Sequence, residues 1–208
     1  MPKTSSLISR VLLASLMVMS VLGAAWAQQS PTVRIRGTIE AVDGSLLAVK
    51  SREGTEMKVR LTDNVAVFGV AKTTTSEIKP GSYIGVSAMP EPDGTQRALA
   101  VQIFPESQRG VAEGFRPWDL RPNSTMTNAT VAETVAGTDG EIILVKYKDG
   151  EKKVLVPPDT PIVSFVAGDR SELRPGARII IFSATRKEDG SLEAARVNVG
   201  RDGITPPM

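Results

Sequence analysis

Apolar and polar residues alternate with a period of two along much of the chain. Met57, Val59 and Leu61 interleave with Glu56, Lys58 and Arg60, which predicts a half-buried β-strand. Val33, Ile35 and Ile39 share a face opposite Arg34, Arg36, Thr38 and Glu40. Leu99, Val101 and Ile103 form another such row, and Ile143, Val145 and Tyr147 alternate with Lys146 and Lys148. Ile179-Ile180-Ile181-Phe182 is a continuous apolar run, which predicts a strand covered on both faces. No segment after the first 27 residues carries a sustained helical stripe.

The separators between these runs are hairpin signals. Asp-Gly occurs at 43–44, 93–94, 139–140, 149–150, 189–190 and 202–203, and five of the six lie between strand-like runs. Glycine takes the positive φ of tight primed turns, and aspartate tolerates it, so meandering antiparallel strands are expected.

The pattern is written twice. Asp43-Gly44, Gly54 and Asp93-Gly94 recur 96 residues later as Asp139-Gly140, Gly150 and Asp189-Gly190. Ser76-Glu77-Ile78-Lys79-Pro80-Gly81 recurs at a displacement of 95 as Ser171-Glu172-Leu173-Arg174-Pro175-Gly176. Ala98 and Val101 match Ala194 and Val197. These matches predict a duplicated domain. In each Ser-Glu block the Ser is expected to cap one helical turn that Pro-Gly stops, with Ile78 or Leu173 plugging an end of the sheet. The chain is therefore expected to be all-β, each copy folding as a small closed barrel that leaves no exposed edge, with a β-sandwich as the alternative.

The order Gly-x-Ile, Asp-Gly, Gly, Ser-Glu-[Ile/Leu]-[Lys/Arg]-Pro-Gly, Asp-Gly, Ala-x-x-Val resembles that of a bacterial family of exported proteins of unknown function. The likeness covers about residues 33–104 and 130–200 and consists of turn and packing residues. It implies two tandem OB-like β-barrel domains and an envelope location, and it carries no catalytic residues. The second copy has Glu133 where the first is read to have Gly37. The expected organisation is a signal peptide at 1–27, a first barrel at 28–104, an inter-domain segment at 105–128, a second barrel at 129–200 and a tail at 201–208.

The start of the chain sets the compartment. Lys3 and Arg10 precede an apolar run from Val11 to Ala24, which ends in Ala25-Trp26-Ala27. That is the form of a Sec signal peptide cut after Ala27, and the run is shorter than the roughly 20 residues that span a bilayer. A periplasmic or secreted protein without a membrane span follows. Export also alters the charge. The full chain holds 25 basic and 23 acidic residues, and removing Lys3 and Arg10 leaves a balance of zero.

Composition narrows the chemistry further. With no His and no Cys, no Ser-His-Asp triad, imidazole ligand, thiolate nucleophile or Cys-based zinc site is available. Aromatic residues are 4% of the chain, too few for a base-stacking platform, so nucleic acid is not an expected partner. Glu91 with Asp93, and Glu188 with Asp189, are candidate ligands for a hard cation but lack the density of an EF-hand loop. Asn123-Ser-Thr and Asn128-Ala-Thr match the glycosylation pattern.

The individual part of the chain is Phe104 to Asn128, which has no counterpart within either copy. It carries Phe115, Arg116, Trp118, Leu120 and Met126 between prolines, unlike a flexible spacer. Two roles are open for it. Trp118 and Leu120 dock into a seam between the domains, or Phe115-Arg116-Pro117-Trp118 forms an exposed recognition lip of hot-spot composition. The expected function is non-enzymatic: an exported binding or scaffolding protein without a cofactor, whose partner is another envelope protein or a small ligand. Phe115, Arg116, Trp118 and Leu120 are its candidate partner-binding residues. The alternative is a small-ligand or metal-ion binding accessory of an envelope transport system.

Overall fold

The structure, a computed structural model, describes residues 31–208, which form one compact unit. The predicted signal segment and its cleavage point after Ala27 lie outside the described residues. Twelve strands follow in order: β1 (Thr32–Asp43), β2 (Leu46–Ser51), β3 (Glu56–Lys72), β4 (Tyr83–Pro90), β5 (Gln96–Ile103) and β6 (Gly114–Pro117), then β7 (Thr125–Gly137), β8 (Gly140–Tyr147), β9 (Gly150–Val156), β10 (Ile162–Ala167), β11 (Arg178–Arg186) and β12 (Leu192–Gly200). Among the described residues the only helical pieces are single 3-10 turns, and no helix is long and apolar enough to cross a membrane.

Pairing closes two rings. The first runs β11–β1–β2–β3–β12 and back to β11. The second runs β4–β7–β8–β9–β5 and back to β4. Each barrel thus takes three strands from one sequence copy and a two-strand hairpin from the other. By register the second copy begins with β7 at Thr125, inside the segment expected to lie between the domains at 105–128, and neither copy closes a barrel by itself. The expected self-contained barrels are replaced by exchanged ones because β3 does not end at its own ring. It continues to Lys72, and its second half pairs antiparallel with β10.

That pairing is self-complementary. The second half of β3 and β10 are the same element of the two copies, displaced by 95 residues as the Ser-Glu blocks are. Val70 is paired with Phe165, its own counterpart. An antiparallel pair of equivalent strands has a local two-fold axis, here between Val70 and Phe165. The chain that leaves each strand must enter the barrel begun by the other copy.

The cores show the exchange. One cluster joins Ile39, Leu47 and Val59 of the first copy to Ile181 and Ala194 of the second. The other joins Ile84 and Val101 of the first to Ile143 and Val154 of the second. The plugs are present and follow the exchanged hairpins: Leu173 is buried in the first cluster and Ile78 in the second. Each follows a 3-10 turn, Thr75–Glu77 or Arg170–Glu172. The Ser residues do not cap these turns, because each turn starts one residue before the Ser. Asp169 caps the second one, accepting 2.8 Å from the Ser171 backbone N–H.

Register also corrects the alignment at the start of each copy. Gly37 lies opposite Ile179, and the equivalent Ile84 lies opposite Ala129, so Ala129 and not Glu133 is the counterpart of Gly37. Both opening strands keep a bulge, between Ile39 and Ala41 and between Val131 and Glu133. β11 is covered on both faces as expected, with Ile179, Ile180 and Ile181 all buried. β5 departs from its half-buried reading. Ala98, Ala100, Val101 and Gln102 are all buried, because its outer face is turned into the seam between the barrels.

Two outcomes follow from exchange. A protease site placed between Arg109 and Gly110, in an exposed loop, should leave a nicked protein whose halves co-elute on gel filtration at micromolar concentration and part only in denaturant. Pairings β1–β11, β3–β12, β3–β10, β5–β10, β5–β9 and β4–β7 all join the two halves. Ile39→Ala removes a side chain with 0% exposure and should cost about 2–5 kcal/mol in urea unfolding. Both barrels should melt in one transition, seen as coincident near- and far-UV circular dichroism.

Candidate functional site

The outer faces of β5, β7, β11 and β12 turn toward one another across the seam, and the segment after Phe104 folds over the gap. They enclose a cavity of about 560 Å³. A ladder of aromatic rings crosses the seam. Tyr83 meets Phe104 at 5.3 Å between centroids, Phe104 meets Phe165 at 5.5 Å, Phe165 meets Phe182 at 6.3 Å, and Phe182 meets Trp118 at 6.3 Å. Phe104, Phe165, Phe182 and Trp118 form the apolar wall of the cavity. Tyr83 stands at the end of the ladder and donates its hydroxyl to the Val111 carbonyl at 3.1 Å. Burial, helped by the nearby Glu113 carboxylate, pushes that phenol up to about 12.

The facing wall is made of carboxamides. Gln102, Gln108, Asn128 and Asn198 are each 3% exposed or less. Asn128 donates its NH₂ group to the Val111 carbonyl at 3.0 Å, and Asn198 donates to the Ile180 carbonyl at 3.1 Å. These bonds fix the amide orientations and turn Oδ1 of both residues away from any partner. Gln102 Oε1, Gln108 Nε2, Trp118 Nε1 and Arg34 Nε are likewise buried without a partner in the protein. All six side chains line the cavity. A buried donor or acceptor left unmade costs about 1–3 kcal/mol, so six such side chains around one space make this wall costlier than an apolar one.

Strand register explains how the amides gather. Gln102 of β5, Gly85 of β4 and Asn128 of β7 lie side by side in one row across three strands. A Cβ on Gly85 would stand 2.5 Å from Gln102 Nε2 and 2.9 Å from Asn128 Oδ1, so glycine is what lets the two carboxamides share this spot. The equivalent row in the other barrel is Asn198, Ile180 and Arg36. Gln102 and Asn198 are therefore the same position of the two copies, brought to one cavity by the two-fold arrangement.

Charge is concentrated around the indole. The Arg34 guanidinium carbon lies 3.6 Å from the Trp118 ring centroid and that of Arg116 lies 5.7 Å from it. Asp119 is 2.6 Å from Arg34 and 2.7 Å from Arg36. Burial alone would raise the Asp119 carboxyl, but the hydrogen bonds from Arg36 and Arg34 outweigh it and hold the group down at about 2. Arg116 donates to the Ala112 carbonyl at 2.8 Å and, among the described residues, has no carboxylate in ion-pair contact. Burial, with repulsion from Arg34, pulls its pKa below the ordinary arginine value.

The four candidate residues from the sequence do not form one surface. Phe115, Arg116 and Trp118 belong to or follow β6, which pairs with the start of β7. Alternation along β6 sends Arg116 and Trp118 to the cavity and Phe115 to the opposite side, 40% exposed under Lys152 Nζ at 4.5 Å. Leu120 is half-buried and does not line the cavity. The amides went unread in the sequence. Their one signal was an amide at matched positions of the two copies, Gln102 and Asn198, each directly after a buried valine. Asn128, read as a glycosylation candidate, is buried.

The acidic candidates are engaged locally. Asp93 accepts from the Thr95 N–H and hydroxyl at 2.9 and 3.0 Å, Glu91 pairs with Arg97 at 2.6 Å, and Asp189 accepts from the Ser191 N–H at 2.9 Å. Among the described residues no group of three acidic side chains converges as a metal site. The tail at 201–208 is anchored too: Arg178 donates to Gly203 O at 2.8 Å and Arg52 to Pro206 O at 2.6 Å, and Met208 is buried beside Met126 and Ile180. Comparison with protein families, curated proteins and solved structures found no match.

The Asp119 cluster makes a pH prediction. A carboxyl held at about 2, below its ordinary 3.8, adds stability that is fully present above about pH 4 and is lost as pH falls through 2. Asp119 is half exposed, so the contribution is below about 1 kcal/mol. Asp119→Asn should lower the urea midpoint slightly at pH 6, and the gap to wild type should close near pH 2.

Proposed function

We propose that this chain is an exported, non-enzymatic binding protein of the bacterial envelope, and that a small molecule held in the seam cavity is its ligand. The observation that carries this reading is one cavity walled by aromatic rings and by polar side chains, with the Arg116 guanidinium on its lining and no carboxylate paired to it among the described residues. A pocket that is mostly apolar with a few convergent polar groups is the usual form of a small-molecule site. Export is supported by the basic start, the short apolar run and Ala25-Trp26-Ala27. The non-enzymatic reading is supported by the lack of His and Cys and by the local hydrogen bonds and ion pairs that occupy Asp93, Glu91 and Asp189.

Each five-stranded ring is of the size expected for an OB-like barrel, and the family resemblance points the same way. Of the two partner classes anticipated, the small ligand is preferred to an envelope protein because Arg116 and Trp118 face inward while Phe115 faces out.

The test is a thermal-shift screen of small organic acids, amides and amines on wild type and on Ala195→Phe. Ala195 lines the cavity and is itself exposed, so the larger side chain enters the space without disturbing a core. A true ligand at one hundred times its Kd should stabilise wild type by about 2.7 kcal/mol and leave Ala195→Phe unmoved. Equal stabilisation of both proteins would place the site elsewhere.

A further inference from the structure

The cavity wall also states what kind of molecule it takes. Three cationic side chains line it, Arg34, Arg116 and Arg196, against one carboxylate, Glu193, and Glu193 is already 2.6 Å from Lys187. Arg34 shares the Asp119 carboxylate with Arg36, so the arginines around the indole outnumber their acid. Arg116 has no carboxylate of its own and is half-buried, so it is the charge with most to gain from an incoming anion. Phe104, Phe165, Phe182 and the indole face ask for a flat apolar body.

Resting on the seam cavity as the site, we propose that its ligand is a small carboxylate with a flat apolar body, the chemistry of an aromatic carboxylic acid or an N-acylated aromatic amino acid. The carboxylate pairs with Arg116, and the ring lies along the aromatic wall. A simple cation is disfavoured by the three arginines. A purely apolar molecule would leave Arg116 without an anion.

The experiment follows the Trp118 indole N–H in ¹H–¹⁵N spectra of the full chain, its peak assigned by its loss in Trp118→Phe. Three probes are titrated: N-acetyl-L-phenylalanine, its neutral carboxamide, and cationic L-phenylalaninamide. For probes of this size a Kd of roughly 1 mM is expected for the acid. The carboxamide should bind about ten-fold more weakly, the loss of one charge-assisted contact. Arg116→Gln should bring the acid down to the affinity of the carboxamide and leave the carboxamide unchanged. Arg116→Lys should retain part of the preference, which separates loss of charge from loss of fold. Ala195→Phe should weaken acid and carboxamide alike.

Equal affinity for acid and carboxamide, or tighter binding of the cationic probe, overturns this ligand class and leaves the cavity as the site. An unmoved indole peak with all three probes at about ten times the expected Kd overturns the ligand class. If the thermal-shift screen then also finds no compound that depends on the cavity, the seam site falls with it.

Discussion

The antiparallel pairing of β3 with β10 is the constraint on which the rest of the molecule depends. The two segments are copies of one element, and Val70 faces its own counterpart Phe165. Once equivalent strands pair antiparallel, a two-fold relation is imposed on everything attached to them. The hairpin after each strand is carried to the far side of the axis, where the other copy offers an unclosed ring. β11 and β12 close the first barrel by pairing with β1 and β3, and β4 and β5 close the second by pairing with β7 and β9. Closure leaves no exposed edges on either ring, a condition that neither copy meets with its own strands in this arrangement.

Exchange also determines where polar chemistry can collect. The inner faces of both rings are spent on cores such as Ile39, Val59 and Ile181. The outer faces of β5, β7, β11 and β12 are pressed together at the seam, and both faces of β5 and β11 become buried. Side chains that would be solvated on an isolated barrel are enclosed there. Had the two copies remained identical, the seam would be symmetric. The segment from Phe104 to Ser124 breaks that symmetry by laying Trp118 and Arg116 over one side, while the tail lays Ile204 and Met208 into the neighbouring packing. The cavity is what remains between a duplicated frame and two unlike covers.

The alternation of residues, the Asp-Gly turns and the buried Ile78 and Leu173 were legible in the sequence because each is set by local chemistry: side-chain period, positive φ, and an apolar residue after a one-turn helix. Exchange was not legible. A self-contained barrel and an exchanged one use the same strands, the same turns and the same inward faces, and differ only in whether β3 stops at its ring or runs on. The continuous run to Lys72 carried that information, but its apolar residues read equally well as two shorter strands. The carboxamides were hidden for a related reason. Gln102 occupies the outward position of an alternating strand, where a polar residue is ordinarily exposed, and only the facing barrel turns that position into an interior one. Of the four candidate partner-binding residues, Arg116 and Trp118 lie on the cavity wall, whereas Phe115 faces out because its neighbour in β6 already faces inward.

The comparison between the two copies bears on why the seam is polar at all. Other matched positions differ in kind: Tyr83 corresponds to Arg178, Ser87 to Phe182, and Gly85 to Ile180. At Gln102 and Asn198 both copies hold a carboxamide, and both leave its oxygen unpartnered. At Asn198 the amide also serves the fold, its NH₂ group donating to the Ile180 carbonyl at 3.1 Å. Around the indole the imbalance is one of charge: Arg116 is half-buried beside Arg34, and among the described residues no carboxylate pairs with it, so it is the seam's least compensated cation.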